Sequence, residues 1–140
     1  MTQTHNPAVE VTAIPDFWDQ VHQAEHLFLG LDYDGTLAPF AVDPMQARPL
    51  PGALELIRDL AADGRTHVAI ISGRPVAEVL ALLDNPPVTV IGSHGFEYCP
   101  VGGDCVVRQP SAAQARGLLE VRTSLLARDY AHKIEIKVAS

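Results

Sequence analysis

The stretch His26-Leu27-Phe28-Leu29-Gly30-Leu31-Asp32-Tyr33-Asp34-Gly35-Thr36-Leu37-Ala38-Pro39 decides how the rest of the chain is read. An apolar run, Leu27 to Leu31, leads into two carboxylates one residue apart, then a glycine, a hydroxyl and a proline. A short apolar run bounded by turn residues predicts a buried strand of a parallel sheet. In open α/β sheets ligands bind beyond the carboxyl ends of the strands. Asp32 and Asp34 are therefore expected at the edge where chemistry is usual. If the strand continues through them, its period of two points both side chains the same way. Neighbouring acids repel, so the pair is costly unless a cation or a proton transfer uses it.

Downstream, residues 40–51 hold Pro44, Pro49 and Pro51 and no clean period, which predicts a loop directly after the acids. Gly52 to Asp63 reads as an amphipathic helix with Ala53, Leu56, Ile57, Leu60 and Ala61 on one face and Gly64 as its stop. Thr66-His-Val-Ala-Ile-Ile71 is a β-branched run and a second strand, ending in Ser72-Gly73-Arg74-Pro75. Val76 to Leu83 follows as a helix opened by Pro75, with Val76, Val79, Leu80 and Leu83 inward. Asn85-Pro-Pro87 breaks it, and Val88 to Ile91 is a third strand running into Gly92-Ser93-His94-Gly95-Phe96-Glu97-Tyr98. Strand, helix, strand, helix, strand predicts a doubly wound, Rossmann-like α/β sheet.

Upstream, Phe17, Val21 and Ala24 recur at helical spacing after Pro15, and residues 1–14 read as a flexible terminus. His22 and His26 lie four apart but have no third ligand nearby, so they read as solvated histidines rather than a metal pair. Beyond Tyr98, Val101-Gly-Gly-Asp104 suggests a hairpin turn between short strands. Ser111 is placed to cap a helix reaching to about Tyr130, with Leu118, Val121, Leu125 and Leu126 inside. Lys133 to Ala139 alternates apolar and charged residues, the pattern of a half-buried antiparallel strand.

At 140 residues the chain is expected to be a single unit with a real core, and 47% of it is hydrophobic. No apolar run approaches a membrane span of about eighteen residues or more. Met1 to Thr12 is polar, with no basic segment leading into an apolar one, so a cytoplasmic protein is expected. A net charge of −7 argues against a nucleic-acid surface, which needs a basic stripe. It does not exclude a small phosphorylated substrate, for which a divalent cation and a few local bases reverse the field. Cys99 and Cys105 are expected as free thiols in such a compartment, and they form no CxxC pair for zinc. Oligomeric state is left open.

Chemistry narrows the reading of the acids. An EF-hand loop needs its glycine at the sixth loop position and a helix before it. Here a glycine follows the second acid at once, after a strand, so that reading fails. A helix cap would use one acid and leave the other unexplained. Both are used if one carboxylate is a nucleophile and magnesium ligand and the other an acid and base. Attack of a carboxylate on phosphorus gives an aspartyl-phosphate, whose charge a hard cation neutralises. Gly35 would let the backbone approach a phosphoryl group, and Thr36 would donate to it.

Asp32-Tyr-Asp34-Gly-Thr-Leu37 resembles the DxDGT motif of the haloacid dehalogenase-like phosphatases, and Ser72 resembles the serine of their second motif. Asp32 to Pro39, Ile71-Ser-Gly-Arg-Pro75, Gly92-Ser-His-Gly-Phe-Glu97 and Glu135-Ile-Lys137 fall in the order found in trehalose-6-phosphate phosphatases. Asp43-Pro44 and Leu50-Pro-Gly52 fit the same family, and the resemblance runs from about Pro15 to Ser140.

The resemblance implies a magnesium-dependent phosphatase that hydrolyses trehalose 6-phosphate, in trehalose biosynthesis. It makes Asp32 the nucleophile and Asp34 the acid and base, with Mg2+ on the Asp32 carboxylate and the Asp34 backbone carbonyl. Gly35, Thr36, Ser72, Gly73 and Arg74 would hold the phosphoryl group. His94, Gly95, Phe96 and Glu97 would line the sugar side, and Glu135 and Lys137 would reach over it from a cap. Residues 15–98 would then be the first part of the core and 99–140 the start of the cap. The family's lysine and its GDD-type acidic cluster have no counterpart in these residues, which implies the N-terminal part of such an enzyme. From the residues alone Arg74 is equally a helix cap or an ion-pair partner, His94 a turn residue, and Glu135 and Lys137 an exposed strand face. The alternatives are a non-enzymatic phosphosugar- or partner-binding module, or another capped sugar phosphatase.

Overall fold

Leu27–Asp32 forms a strand, β1, in the computed structural model, which describes residues 16–128 and 130–133. A helix, α1 (Phe17–Gln23), precedes it, and Ala53–Ala62 forms α2 after the proline-rich loop. Thr66–Ile71 is β2, Val76–Leu82 is α3 and Thr89–Gly92 is β3. β1 pairs parallel with β2, and β2 parallel with β3. The register sets Asp32 beside Ile71 and Ile71 beside Ile91, so the three strands end level. That alignment brings the residues after each strand to one edge.

The core lies between the sheet and the two crossover helices. Val68, Ile70 and Val90 on the strands pack with Ile57 of α2 and with Val76, Val79 and Leu82 of α3. Leu82 was not among the expected inward positions of α3. Leu56, expected on the inner face of α2, is exposed instead, and Leu54 packs against the core in its place. Consecutive parallel strands with right-handed crossovers carry both helices on one face of the sheet. The other face bears Phe28, Ile71, Tyr98 and Val106, all exposed. The parallel α/β core is therefore as expected, with α2 and α3 packed on the strands.

Two connections hold the layers in place. The Asp63 carboxylate accepts hydrogen bonds from the Arg65 and Thr66 amides, both at 2.8 Å, and turns the chain from α2 into β2. The Arg65 guanidinium donates to the backbone carbonyls of Val21, His22 and Ala24, fixing the end of α1 against that turn. Arginine suits this place because its planar fork serves several acceptors at once.

Beyond β3 the sheet turns antiparallel. Glu97–Cys99 (β4) pairs with β3, and Val106–Val107 (β5) pairs with β4. The expected hairpin is present, but its cysteines are not free. Cys99 and Cys105 form a disulfide across it, with Cα atoms 4.1 Å apart. Compartment rules had predicted thiols; the hairpin overrides them by bringing the two within bridging distance.

Ser111 caps the helix Ala112–Ala127 (α4) as its sequence predicts. Its hydroxyl accepts from the Gln114 amide, and the Gln114 side chain accepts from the Ser111 amide. The expected burial does not follow: Leu118, Val121 and Leu126 are exposed and Leu125 is half-buried. Periodicity tells which face of a helix is apolar, not what covers it. Lys133 ends a short 3-10 turn, Ala131–Lys133. The rest of the strand expected at 133–139, with Glu135 and Lys137, lies outside the described residues.

Candidate active site

The strand ends at Asp32, so alternation does not carry through to Asp34. Tyr33 turns inward instead, fully buried, and its hydroxyl donates to the Ala47 carbonyl at 2.6 Å. The Tyr33 carbonyl accepts from the amides of Thr36, Leu37 and Ala38, which folds the motif into a tight turn. Gly35 takes φ +84° in it, a conformation that a side chain would strain. The Leu50 amide donates to the Leu37 carbonyl, bringing the end of the proline loop back to the motif. Burial pushes the Tyr33 phenol up from its ordinary value, and the nearby Asp34 adds to this against the opposing pull of Arg74 and Arg48.

The two acids face different surroundings. Asp32 is exposed, with the Thr36 hydroxyl donating weakly to it at 3.4 Å. Asp34 is held by Arg74, whose Nε and Nη2 donate to its two oxygens at 2.7 Å each. Arg74 also donates through Nη1 to the Pro44 carbonyl at 2.8 Å, pairs with Glu78 at 3.6 Å and lies over the Tyr33 ring. Its hydrogen bonds to Asp34 hold its own pKa above the usual arginine range, against the effect of burial.

Ser72 follows β2 and is buried. Its amide donates to the Ile91 carbonyl, and its hydroxyl accepts from the Arg74 amide at 3.1 Å. A Cβ at Gly73 would lie 2.6 Å from the exposed His94 ring, which would have to swing aside. His94 sits in a short turn, Ser93–Gly95, after β3, and its ring is exposed. The His94 amide donates to the Ser72 carbonyl and the Ser93 amide to the Arg74 carbonyl, tying this turn to the loop after β2. Phe96 is exposed beside it.

The structure thus gathers Asp34, Ser72, Gly73, Arg74 and His94 at one sheet edge, with Asp32, Gly35 and Thr36 in the adjoining motif. Glu97 differs from the expectation of a sugar-facing side chain: it is 3% exposed and its oxygens accept from Val76 and Ser93 within the protein. Sequence reasoning did not single out Tyr33, Ser93, Glu78 or the Pro44 carbonyl. Tyr33 sits between two acids and Ser93 within a quoted motif, so both positions were marked, but their partners were not.

For a metal, among the described residues no group of three or more His, Cys, Asp and Glu side chains comes together. Oxygen donors are the right chemistry for magnesium, which retains waters and needs only one or two carboxylates. Asp32 supplies an exposed one; the carboxylate of Asp34 is engaged by Arg74, leaving its backbone carbonyl as the fitting donor. Among the described residues no helix is long and apolar enough to cross a membrane.

A family model described as trehalose-phosphatase matches residues 30–134. A trehalose-phosphate phosphatase of Mycobacterium leprae is 44% identical over 86 residues, covering 60% of this chain and 19% of that one. The structure of Aspergillus fumigatus trehalose-6-phosphate phosphatase superposes with a TM-score of 0.67 at 29% identity, over 81% of this chain and 43% of that one. A haloacid dehalogenase-like hydrolase from B. subtilis shares the fold, with a TM-score of 0.54 at 19% identity, over 70% of this chain and 33% of that one. The chain spans less than half the length of these relatives. With most of its residues matched by one family model, and its motifs at the sheet edge where that fold binds ligands, the chain belongs to the trehalose-phosphatase family.

Proposed function

We propose that this chain carries the nucleophile and the acid–base group of a phosphatase that hydrolyses trehalose 6-phosphate. A carboxylate oxygen of Asp32 attacks phosphorus in line; the bond from phosphorus to the sugar oxygen breaks, and Asp34 gives that oxygen a proton. Water then attacks the phosphorus of the aspartyl-phosphate, Asp34 takes its proton, and phosphate leaves with the Asp32 carboxylate restored. Both oxygens of Asp34 accept from Arg74, so neither is free for proton transfer while the fork is intact. To act as donor it must release one oxygen from the fork, and the freed Arg74 N–H is then available to a phosphoryl oxygen. The reading assigns Ser72, Gly73, Gly35 and Thr36 to orienting that group. Mg2+, held by the Asp32 carboxylate and the Asp34 backbone carbonyl, would neutralise charge on the phosphoryl oxygens.

On the sugar side the reading uses His94, Gly95 and Phe96, with Glu135 and Lys137 as further sugar contacts proposed from the motif order. The ligand is a small phosphosugar; no nucleic acid or membrane is invoked. The observation that carries the reading is the common register of β1, β2 and β3, which brings two acids, a serine and an arginine to one edge.

The test is phosphate release by the 140-residue chain with magnesium, across a panel of sugar phosphates. Release from trehalose 6-phosphate that exceeds release from monosaccharide phosphates, and falls to background in Asp32→Asn, is expected. Release that survives Asp32→Asn removes the nucleophile, and preference for a monosaccharide phosphate removes the substrate.

A further inference from the structure

Glu97 is a buried carboxylate that the chemistry above leaves without a task. It opens β4 opposite Gly92 of β3. Its Oε2 accepts the Val76 amide at 2.8 Å and its Oε1 accepts the Ser93 hydroxyl at 2.6 Å. Burying a carboxylate is costly unless it is hydrogen-bonded, and bonds to an ionised acceptor are about twice as strong as neutral ones. The two donors belong to different loops. Val76 begins α3, directly after Ser72-Gly-Arg-Pro75; Ser93 begins the turn that carries His94.

Those loops touch elsewhere as well. The Ser93 amide donates to the Arg74 carbonyl at 2.7 Å, and the His94 amide to the Ser72 carbonyl at 3.2 Å. Ser93 and His94 have φ of 47° and 56°, the left-handed region, which residues other than glycine hold only when their surroundings impose it. The bond from Ser93 to Glu97 is one such constraint. We propose that Glu97 is a positioning residue, whose carboxylate sets the Ser72–Arg74 loop against the Ser93–Gly95 turn. The phosphate side and the sugar side of the site are thereby held as one piece. The functional part of this inference rests on the phosphatase reading of those two loops.

Amide hydrogen exchange on Glu97→Ala and Glu97→Gln in the 140-residue chain tests it. Glu97→Ala should speed exchange at Val76, Ser93 and His94 by at least about tenfold, while amides of the β1–β2 ladder stay protected. Glu97→Gln keeps an oxygen for the Val76 amide and gains a donor for the Ser93 hydroxyl, so it should stay within about threefold of the parent. Unchanged protection at those three amides in Glu97→Ala would overturn the proposal. If Glu97→Ala also loses the β1–β2 protection, Ser93→Ala decides: faster exchange at Ser93 and His94 with Val76 unchanged supports the brace, and no change sinks it.

Phosphate release supplies the second readout. Glu97→Ala should lower kcat by roughly tenfold to a hundredfold with a smaller change in KM, and Glu97→Gln should restore it. A parent chain that releases no phosphate shows that these 140 residues alone are not an active phosphatase, while the exchange result still decides the brace. An active parent with unchanged kcat in Glu97→Ala defeats the positioning role alone.

Discussion

The guanidinium of Arg74 touches the β1 turn, the Pro44 carbonyl and α3 at once, with only 11% of its side chain exposed. Removing it leaves a half-buried carboxylate and a carbonyl without their donors, and the loss of such partners costs more than the bonds themselves are worth. Arg74→Ala should therefore destabilise the chain by about 2 kcal/mol, discounted for the partial exposure of Asp34. Arg74→Lys should recover less than half of that, because an ammonium makes no fork. Urea denaturation midpoints check this, and an Arg74→Ala midpoint equal to the parent's would contradict it. The Arg74 pKa is raised on folding, so on the alkaline side this stability is present below the usual arginine value and lost as pH rises through the raised one. The Arg74–Asp34 contact spans 40 residues of sequence. The motifs marked each residue as important; an ion pair was one open alternative for Arg74, but its partner was not identified, because pairing over that distance depends on how the two loops meet.

The turn from α2 into β2 is held by one side chain, the Asp63 carboxylate. Backbone hydrogen bonds from Thr66 and Arg65 hold the Asp63 carboxyl below its ordinary value. A depressed folded pKa means that the stability is present above the unfolded value and lost as pH falls through the folded one, here below about pH 4. Between pH 5 and pH 3 the parent should lose more of its denaturation midpoint than Asp63→Asn, which keeps the acceptor but cannot titrate. Equal losses would contradict the role given to Asp63. At this scale the sequence was informative wherever structure is local. β1 and β2 are where their apolar and β-branched runs stand, and the Ser111 capping box starts α4. What eluded it needs a neighbour: the cover of α4, the outward Leu56, and the Cys99–Cys105 bridge that only a closed hairpin makes possible.

Among the described residues, the sheet has one covered face and one whose apolar side chains are exposed. α2 and α3 cover the first; on the second, Phe28 is 67% exposed and Ile71 and Tyr98 are nearly half so. Parallel strands are ordinarily buried on both faces, which the apolar content of β1 foretold and the described residues satisfy on one side. The site was legible because DxDGT and Ser-Gly-Arg mark the ends of two strands, and the topology of a parallel sheet puts such ends together. Glu97 was legible as a special residue but not as an inward one, since its direction is set by the pairing of β4 with β3 and by a donor 21 residues away. The central claim is that Asp32 is the nucleophile at that edge. The most direct test is mass spectrometry of the chain after acid quenching with trehalose 6-phosphate and magnesium. One added phosphoryl group is expected on the peptide containing Asp32, absent in Asp32→Asn. Phosphate released from the parent with no adduct trapped on that peptide, or an adduct that persists in Asp32→Asn, would contradict it.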